Sequence, residues 1–295
     1  MSEIRTVAVL GCGLMGSGIA EVAARAGYRT RVREVNDEAA ERGLANIARS
    51  LGRAVDRGKL DSDVRDGIME RISMTTSLEE LRDADIVIEA VTEDIELKNE
   101  MFRTLDGVCA EHTIFASNTS SLTIADMAAA TNRPHRFVGL HFFNPVPVMK
   151  LVEVVRTIAV EQQVFATALE FARSLGKEPV EAKDTSGFIV NRLLVPYMLD
   201  AIRCLEQGLA STEDIDKSMT HGTGYPMGPF TLCDFVGIDT LYYIADIMFE
   251  EFREPRFAPP PLLRRMVTLG MFGRKTRRGF YDYSGDKPVP VDLGI

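Results

Sequence analysis

Residues 6–16, Thr6-Val-Ala-Val-Leu10-Gly11-Cys-Gly13-Leu-Met-Gly16, join a short apolar, β-branched run to a set of spaced glycines. The run is typical of a buried parallel strand, and helical spacing of apolar residues follows until Gly27. Glycines between a strand and a helix indicate a dinucleotide site. Gly11 allows the tight turn, Gly13 admits a pyrophosphate, and Gly16 lets the helix pack on the strand. An ordinary glycine turn is the alternative, and the context favours the cofactor site.

The next stretch, Tyr28-Arg-Thr-Arg-Val-Arg-Glu34, predicts a second strand that ends in an acid. Glu34 follows Gly16 by 18 residues, near the spacing of the carboxylate that binds the adenosine ribose. A carboxylate there repels a 2′-phosphate, so NAD is favoured over NADP. Arg31 and Arg33 leave NADP open, since a nearby arginine accommodates that phosphate, although strand alternation turns Arg33 away from Glu34.

The rest of the first half predicts a helical insertion and more strands. Asn36 is expected to cap one helix, and residues 61–72 are expected to form another before the sheet resumes at 84–91 and 113–118. Glu93, Lys98 and Ser120 follow the carboxyl ends of these two strands, where parallel sheets bind ligands. The alternatives are an exposed charge pair for Glu93 and Lys98 and a helix cap for Ser120.

Residues 136–153 predict two short apolar strands joined by a proline-rich turn. His141 ends the first strand, and Glu153 lies inside the second. A turn that folds the strands together brings the carboxylate to one ring nitrogen, where it fixes the tautomer and raises the basicity of the other nitrogen. The pair then forms a general base. The alternative is a histidine that merely ends a strand and a glutamate that faces solvent.

Length and composition limit the class of protein. The chain has 295 residues, enough for one large domain or two ordinary ones. Its formal net charge of -9 argues against nucleic-acid binding, and no apolar run approaches the roughly 20 residues of a membrane span. The scattered cysteines have no metal-binding spacing, so reduced thiols, a cytoplasmic location and no metal are expected: Cys12, Cys109, Cys204 and Cys233.

The second half is predicted to be helical. A last strand at 178–183 and a hinge-like joint at 184–187 precede a long helix that contains Pro196 and ends near Gly208. Ser211 is expected to cap a second helix, and two more are predicted at 238–252 and 261–269. The apolar residues of this half either pack against a second copy of the chain or build the core of one copy: Tyr242, Tyr243, Ile247, Met248 and Phe249.

Several motifs resemble those of the L-3-hydroxyacyl-CoA dehydrogenase family. From Val7 to about Tyr283 they keep the family's order and spacing: Gly11-Cys-Gly-Leu-Met-Gly16, Asn118-Thr-Ser-Ser-Leu122, Gly139-Leu-His-Phe-Phe-Asn-Pro-Val146, Lys150-Leu-Val-Glu-Val-Val155, Asp184-Thr-Ser-Gly-Phe-Ile-Val-Asn191, Gly224-Tyr-Pro-Met-Gly-Pro-Phe230 and Gly273-Arg-Lys-Thr-Arg-Arg-Gly-Phe-Tyr281. The resemblance implies a Rossmann-like doubly wound α/β domain with a helical insertion over 1–184. An all-α C-terminal domain for substrate and dimerisation follows over 185–295. One departure is Gly273-Arg-Lys-Thr-Arg, where the family often has Gly-Lys-Lys-Thr-Gly.

The resemblance also implies roles for individual residues. The catalytic set is His141 as the base, Glu153 as its orienting carboxylate, Ser120 on the substrate 3-oxygen and Asn191 as a bridge to the substrate. Ser50 is implied to contact coenzyme A. The cofactor NAD is implied to be bound by Gly11, Gly13, Leu14, Met15, Gly16, Glu34, Glu93, Lys98, Ser120, Asn144 and Lys275.

The implied activity is hydride transfer between NAD(H) and C3 of a short-chain (3S)-3-hydroxyacyl-CoA by a homodimer. A relative that oxidises a free sugar acid, such as an L-gulonate 3-dehydrogenase, and a catalytically silent NAD-binding module are the alternatives. The complete catalytic set argues against the silent module, but residues alone do not establish turnover.

Overall fold

A computed structural model of the chain describes residues 4–294. By its internal contacts, the chain divides into two compact units, Met1–Phe188 and Ile189–Ile295. The boundary predicted from the sequence, between Asp184 and Thr185, lies shortly before this division. Within residues 4–294, no helix is both long enough and apolar enough to cross a membrane.

The first unit is built on one sheet with the strand order β3-β2-β1-β4-β5-β6-β7-β8. Neighbouring strands are parallel except for the antiparallel pair β6 and β7. The strands are Thr6–Leu10 (β1), Arg29–Arg33 (β2), Ile72–Thr75 (β3), Ile86–Glu89 (β4), Ile114–Ser117 (β5), Phe137–Phe142 (β6), Leu151–Arg156 (β7) and Glu178–Lys183 (β8). Strand order reverses beside β1, which places a crevice for ligands at its carboxyl end.

Helices cover both faces of this sheet. They are Leu14–Arg25 (α1), Asp37–Asp56 (α2), Ser62–Glu70 (α3), Ile95–Val108 (α4), Ile124–Ala128 (α5) and Gln162–Ser174 (α6). Val7 and Val9 of β1 belong to a core cluster with residues of α1, α2 and α6, whereas Ala8 and Leu10 belong to a cluster with residues of α4 and α5. Alternate residues of a buried strand therefore face opposite helical layers. The predicted doubly wound α/β class is confirmed.

The predicted helix over 61–72 is wrong at its C-terminal end. The helix α3 stops at Glu70, and Ile72 begins the strand β3, which pairs with β2 through Thr30 and Ile72. The local pattern is ambiguous over so few residues, and pairing with a distant strand decides the conformation. The predicted cap is confirmed, since the Asn36 side chain accepts a hydrogen bond from the backbone N–H of Ala39 at 2.8 Å.

The second unit is helical, as predicted. Its elements are Val190–Glu206 (α7), Thr212–Thr223 (α8), Pro229–Val236 (α9), Ile238–Phe252 (α10), Pro261–Thr268 (α11) and a two-stranded ribbon of Tyr281–Asp282 (β9) and Val289–Pro290 (β10). Helix α7 contains Pro196, and Ser211 caps α8 by accepting from the backbone N–H of Asp214. The sequence reading missed α9, which has only 8 residues between Gly228 and Gly237.

Candidate functional site

The turn between β1 and α1 requires glycine at two positions. Gly11 has φ +84°, and a Cβ on it would lie 2.9 Å from the backbone oxygen of Ala90. A Cβ on Gly16 would lie 1.9 Å from the backbone oxygen of Gly11, so helix and turn are packed backbone to backbone. A Cβ on Gly13, by contrast, meets nothing within 4 Å. Gly13 is the N-cap of α1 and has no side chain to accept from its first amides, so these amides suit an anionic ligand.

Glu34 closes the other side of this turn. Its carboxylate accepts hydrogen bonds from the backbone N–H groups of Cys12 and Val35. The two arginines that left NADP open are committed elsewhere. Arg31 pairs with Asp83 at 2.6 Å, and Arg33 donates to the backbone oxygen of Thr76 at 3.3 Å. An acid at the turn, with Arg31 and Arg33 each bonded to another group, favours NAD.

A buried ion network lies at the carboxyl end of β4. The Lys98 ammonium is 3.0 Å from the Glu89 carboxylate and 2.7 Å from that of Glu93. Glu89 also accepts from the Ser117 hydroxyl and from the backbone N–H of Val91. Lys98 is 1% exposed and Glu89 is fully buried, whereas Glu93 is exposed, so the interpretation as an exposed charge pair is wrong for Lys98. A cation buried this deeply requires such partners.

Burial and charge act against each other in this network. Burial favours the neutral acid and outweighs Lys98, so the pKa of Glu89 is raised. Burial also disfavours the Lys98 ammonium, but the charges of Glu89 and then Glu93 outweigh it and raise the pKa of Lys98. At Glu93 the charge and hydrogen bond of Lys98 outweigh burial and lower the pKa of the carboxyl. Lys98 and Glu93 therefore form a charged pair at neutral pH.

Glu93 connects this network to the loop after β5. Its carboxylate accepts from the Thr119 hydroxyl, from the backbone N–H of Ser120 at 3.2 Å and from the Ser121 hydroxyl at 3.2 Å. The buried Lys98 thus orients Glu93, and Glu93 orients the loop that carries Ser120. Three of the predicted site residues are brought together in this way.

His141 and Glu153 are directly opposite each other in the antiparallel pair of β6 and β7. The His141 Nδ1 lies 2.6 Å from a carboxylate oxygen of Glu153, and both side chains are buried. The rings of Phe143 and Phe188 lie against the imidazole, with centroids 4.5 and 5.5 Å away. Phe188 has φ +45°, which is uncommon for a bulky residue, and sits where the chain leaves the first unit.

Two side chains that sequence reasoning missed hold this region together. Asn118 accepts a hydrogen bond from the backbone N–H of Phe142, next to His141. Asp184 accepts from the backbone N–H groups of Ile124 and Ala125 at 2.7 Å each and so caps α5 from a distance. The interpretation of Ser120 as that helix cap is therefore wrong. The signal for Asn118 was its place at the end of a strand, and the signal for Asp184 was absent because 60 residues separate it from its partner.

The remaining predicted residues lie in three places. Asn144 is exposed in the loop between β6 and β7, and Ser50 is half-buried on α2. In the second unit, Asn191 is in the first turn of α7. The Lys275 ammonium donates to Asp239 at 2.8 and 2.9 Å and to the Thr240 hydroxyl at 2.8 Å. Across residues 4–294, no group of three or more His, Cys, Asp or Glu side chains is arranged to hold a metal ion.

Family models match nearly the whole chain. The 3-hydroxyacyl-CoA dehydrogenase NAD binding domain matches residues 6–185, and the C-terminal domain of the same family matches residues 187–283. The 3-hydroxybutyryl-CoA dehydrogenase of Mycobacterium tuberculosis is 51% identical over 282 residues, which is 95% of this chain and 99% of that protein. The human mitochondrial hydroxyacyl-coenzyme A dehydrogenase is 47% identical over 288 residues, covering 95% of this chain and 91% of that protein.

Solved structures agree with these matches. The crystal structure of Mycobacterium tuberculosis FadB2 has a TM-score of 0.94 at 51% identity and covers 96% of this chain and 100% of that one. The (S)-3-hydroxybutyryl-CoA dehydrogenase PaaH1 of Ralstonia eutropha has a TM-score of 0.93 at 42% identity, with the same coverage of 96% and 100%. The glycine turn, the acid after β2 and the matched models together show that this chain belongs to the 3-hydroxyacyl-CoA dehydrogenase family, with NAD as its cofactor.

Proposed function

We propose that this protein interconverts (3S)-3-hydroxyacyl-CoA and 3-ketoacyl-CoA with NAD(H), with the 3-hydroxybutyryl-CoA and acetoacetyl-CoA pair as its short-chain substrates. One observation carries the proposal: a buried imidazole whose Nδ1 lies 2.6 Å from a buried carboxylate, His141 and Glu153. Relatives of similar length that share about half of the sequence are named for this reaction.

The proposed chemistry follows from the direction of this contact. Nδ1–H donates to Glu153, so Nε2 is the atom that exchanges a proton with the substrate. In oxidation Nε2 takes the proton of the 3-hydroxyl group, and in reduction it returns a proton to the 3-keto oxygen. Glu153 stabilises the imidazolium, which is the product of proton uptake in oxidation and the proton donor in reduction. Phe143 and Phe188 shield the ring from water, which strengthens the attraction between imidazolium and carboxylate.

The first unit supplies the groups that NAD requires. The open amides at the start of α1 suit a pyrophosphate, and Glu34 suits the ribose hydroxyls. Leu14, which is 73% exposed beside Gly13, is assigned to an apolar contact with the cofactor. Bound NAD supplies the hydride acceptor, and NADH the hydride donor.

The remaining roles are part of the same proposal. Ser120, held by Glu93 through its backbone, is proposed to bond the substrate 3-oxygen, and Asn191 to bridge to the substrate. Glu93, Lys98, Asn144 and Lys275 are assigned to cofactor binding, with Lys98 acting through Glu93 because its ammonium is buried. Ser50 on the helical insertion is assigned to coenzyme A.

The substrate and cofactor are tested together by the loss of NADH absorbance. With acetoacetyl-CoA we expect fast turnover with NADH and a kcat/KM at least about a hundredfold lower with NADPH, because Glu34 repels the 2′-phosphate. Acetoacetate without coenzyme A is the matched control, and L-gulonate with NAD tests the sugar-acid alternative. Turnover of the free acids in preference to acetoacetyl-CoA would contradict the proposal, and so would a preference for NADPH.

Assembly and location belong to the same proposal. A homodimer through the second unit is supported by Tyr243, which is 63% exposed on α10, whereas Met248 of the same helix is fully buried and builds the core of one copy. A monomeric mass in sedimentation velocity at micromolar concentration would contradict it. The four cysteines are free thiols, which supports a cytoplasmic protein, and the acidic net charge gives no reason to expect a nucleic-acid partner.

A further inference from the structure

The loop between β6 and β7, residues 143–150, connects the strand of His141 to the strand of Glu153 and carries Asn144. Most of it is exposed. Its internal bonds are two backbone N–H groups, those of Val148 and Met149, which both donate to the backbone oxygen of Pro145 at 2.9 Å. A loop with so little internal bonding needs contacts from outside to keep one conformation.

Lys177 supplies one of these contacts from the connection between α6 and β8. Its ammonium donates to the backbone oxygens of Val146 and Met149, the second at 2.9 Å. Lys177 is only 8% exposed, and within residues 4–294 it makes no salt bridge. A lysine is seldom buried without a carboxylate, because the charged form loses its hydration without a compensating charge.

The charges around Lys177 do not by themselves favour a buried ammonium. Burial, and then the charge of Arg25, lower the pKa of Lys177, while Glu21 acts in the opposite direction. An apolar side chain of the same length would avoid this cost and lose only the two bonds to the loop. The bonds to the loop are therefore what the buried ammonium provides.

A second contact fixes the same loop against the cofactor helix. Val146 is 2% exposed, and its side chain lies over Gly18 of α1, where an added Cβ would come 2.8 Å from the Val146 Cβ. Gly18 is two residues beyond Gly16, whose backbone packs on the glycine turn. The position of the loop is thus linked to the start of α1, where the pyrophosphate is expected.

We propose that Lys177 is a positioning residue of the dehydrogenase site: its ammonium fixes the loop between β6 and β7, and through it Asn144 and the cofactor-binding side of α1. The inference rests on the proposed function for the role of Asn144. Loss of the ammonium releases the loop, so NADH binds more weakly, while the chemical step in the filled site is little changed. The expected signature is a raised KM for NADH with kcat nearly constant.

The test compares Lys177→Met with Lys150→Met, which removes one positive charge from the same loop at an exposed position. NADH affinity is measured by nicotinamide fluorescence, and loop order by hydrogen exchange at the amides of Val148 and Met149. For Lys177→Met we expect the NADH Kd to rise about tenfold and these two amides to exchange at least about tenfold faster, with the Val9 amide in β1 unchanged. For Lys150→Met we expect changes below about twofold.

Three results would overturn the inference: an NADH Kd within about twofold of wild type in Lys177→Met, unchanged exchange at both loop amides, or equal acceleration at Val9, which would mean general destabilisation. If Lys177→Met does not fold, Lys177→Gln keeps an uncharged NH2 donor group at this position and is expected to show a smaller change in the same direction. Neither measurement uses an acyl-CoA. If the protein does not turn over acetoacetyl-CoA, the proposed function is refuted, but the test of Lys177 remains valid.

Discussion

Replacing His141 with glutamine is expected to lower kcat for acetoacetyl-CoA reduction by about a thousandfold or more, because the proposed proton donor to the 3-keto oxygen is then removed. Glutamine keeps much of the side-chain volume and a polar end near Glu153 but cannot carry the proton. The substitution leaves the glycine turn and Glu34 untouched. The NADH Kd is therefore expected to stay within about threefold of wild type, so the loss lies in the chemical step.

His135→Gln is the matched control for this prediction. His135 lies in the short 3-10 helix just before β6, six residues from His141 and outside the proposed site. Steady-state rates with saturating NADH should be unchanged for this variant. The prediction fails if His141→Gln keeps kcat within about tenfold of wild type, or if its NADH affinity falls as much as its rate.

Glu153→Gln is expected to lower kcat by about a hundredfold. The amide still fits opposite His141 in the strand pair, but it carries no charge to stabilise the imidazolium that forms when Nε2 takes the substrate proton. The amide also offers two donors where the carboxylate offered only acceptors, so it does not select the tautomer with hydrogen on Nδ1. Rates measured at saturating NADH and acetoacetyl-CoA separate this effect from weaker binding.

Glu181→Gln on the neighbouring strand β8 is the control for charge. Glu181 pairs with Val154 in the register of the sheet, adjacent to Glu153, but its side chain is exposed. An unchanged kcat is expected for this variant. Equal losses in Glu181→Gln and Glu153→Gln would show that the general negative charge of this edge matters, rather than the contact with His141.

Local patterns were sufficient where neighbours in sequence decide the structure. The glycine turn was predicted because Gly11, Gly13 and Gly16 lie between a strand and a helix. The hairpin that joins His141 to Glu153 was predicted because a proline-rich turn connects two apolar runs. In an antiparallel pair, residues equally distant from the turn face each other, and the structure has this register. The family predicted from the motifs is confirmed by the matched models.

The sequence did not predict the structure where the interacting residues are distant in the chain, or where a charged residue that looks exposed is in fact buried. Nothing local to Ile72 indicates that it pairs with Thr30, so this first residue of β3 was assigned to the preceding helix. Glu93 and Lys98 have the spacing of a surface pair, yet Lys98 is buried because Glu89, inside an apolar strand, provides its second partner. An acid within an apolar strand was the available signal, since a buried carboxylate requires a partner.

The proposed mechanism requires His141 and Glu153 to act as one proton-transferring unit, and a double-mutant cycle on kcat tests this. The measurement compares wild type, His141→Gln, Glu153→Gln and the double variant, each with saturating NADH and acetoacetyl-CoA. Once His141 is gone, Glu153 has no imidazolium to stabilise, so we predict that the double variant loses no more than about threefold beyond His141→Gln alone. Losses that multiply, reaching about a hundredfold beyond His141→Gln, would contradict a single unit and assign Glu153 a separate role.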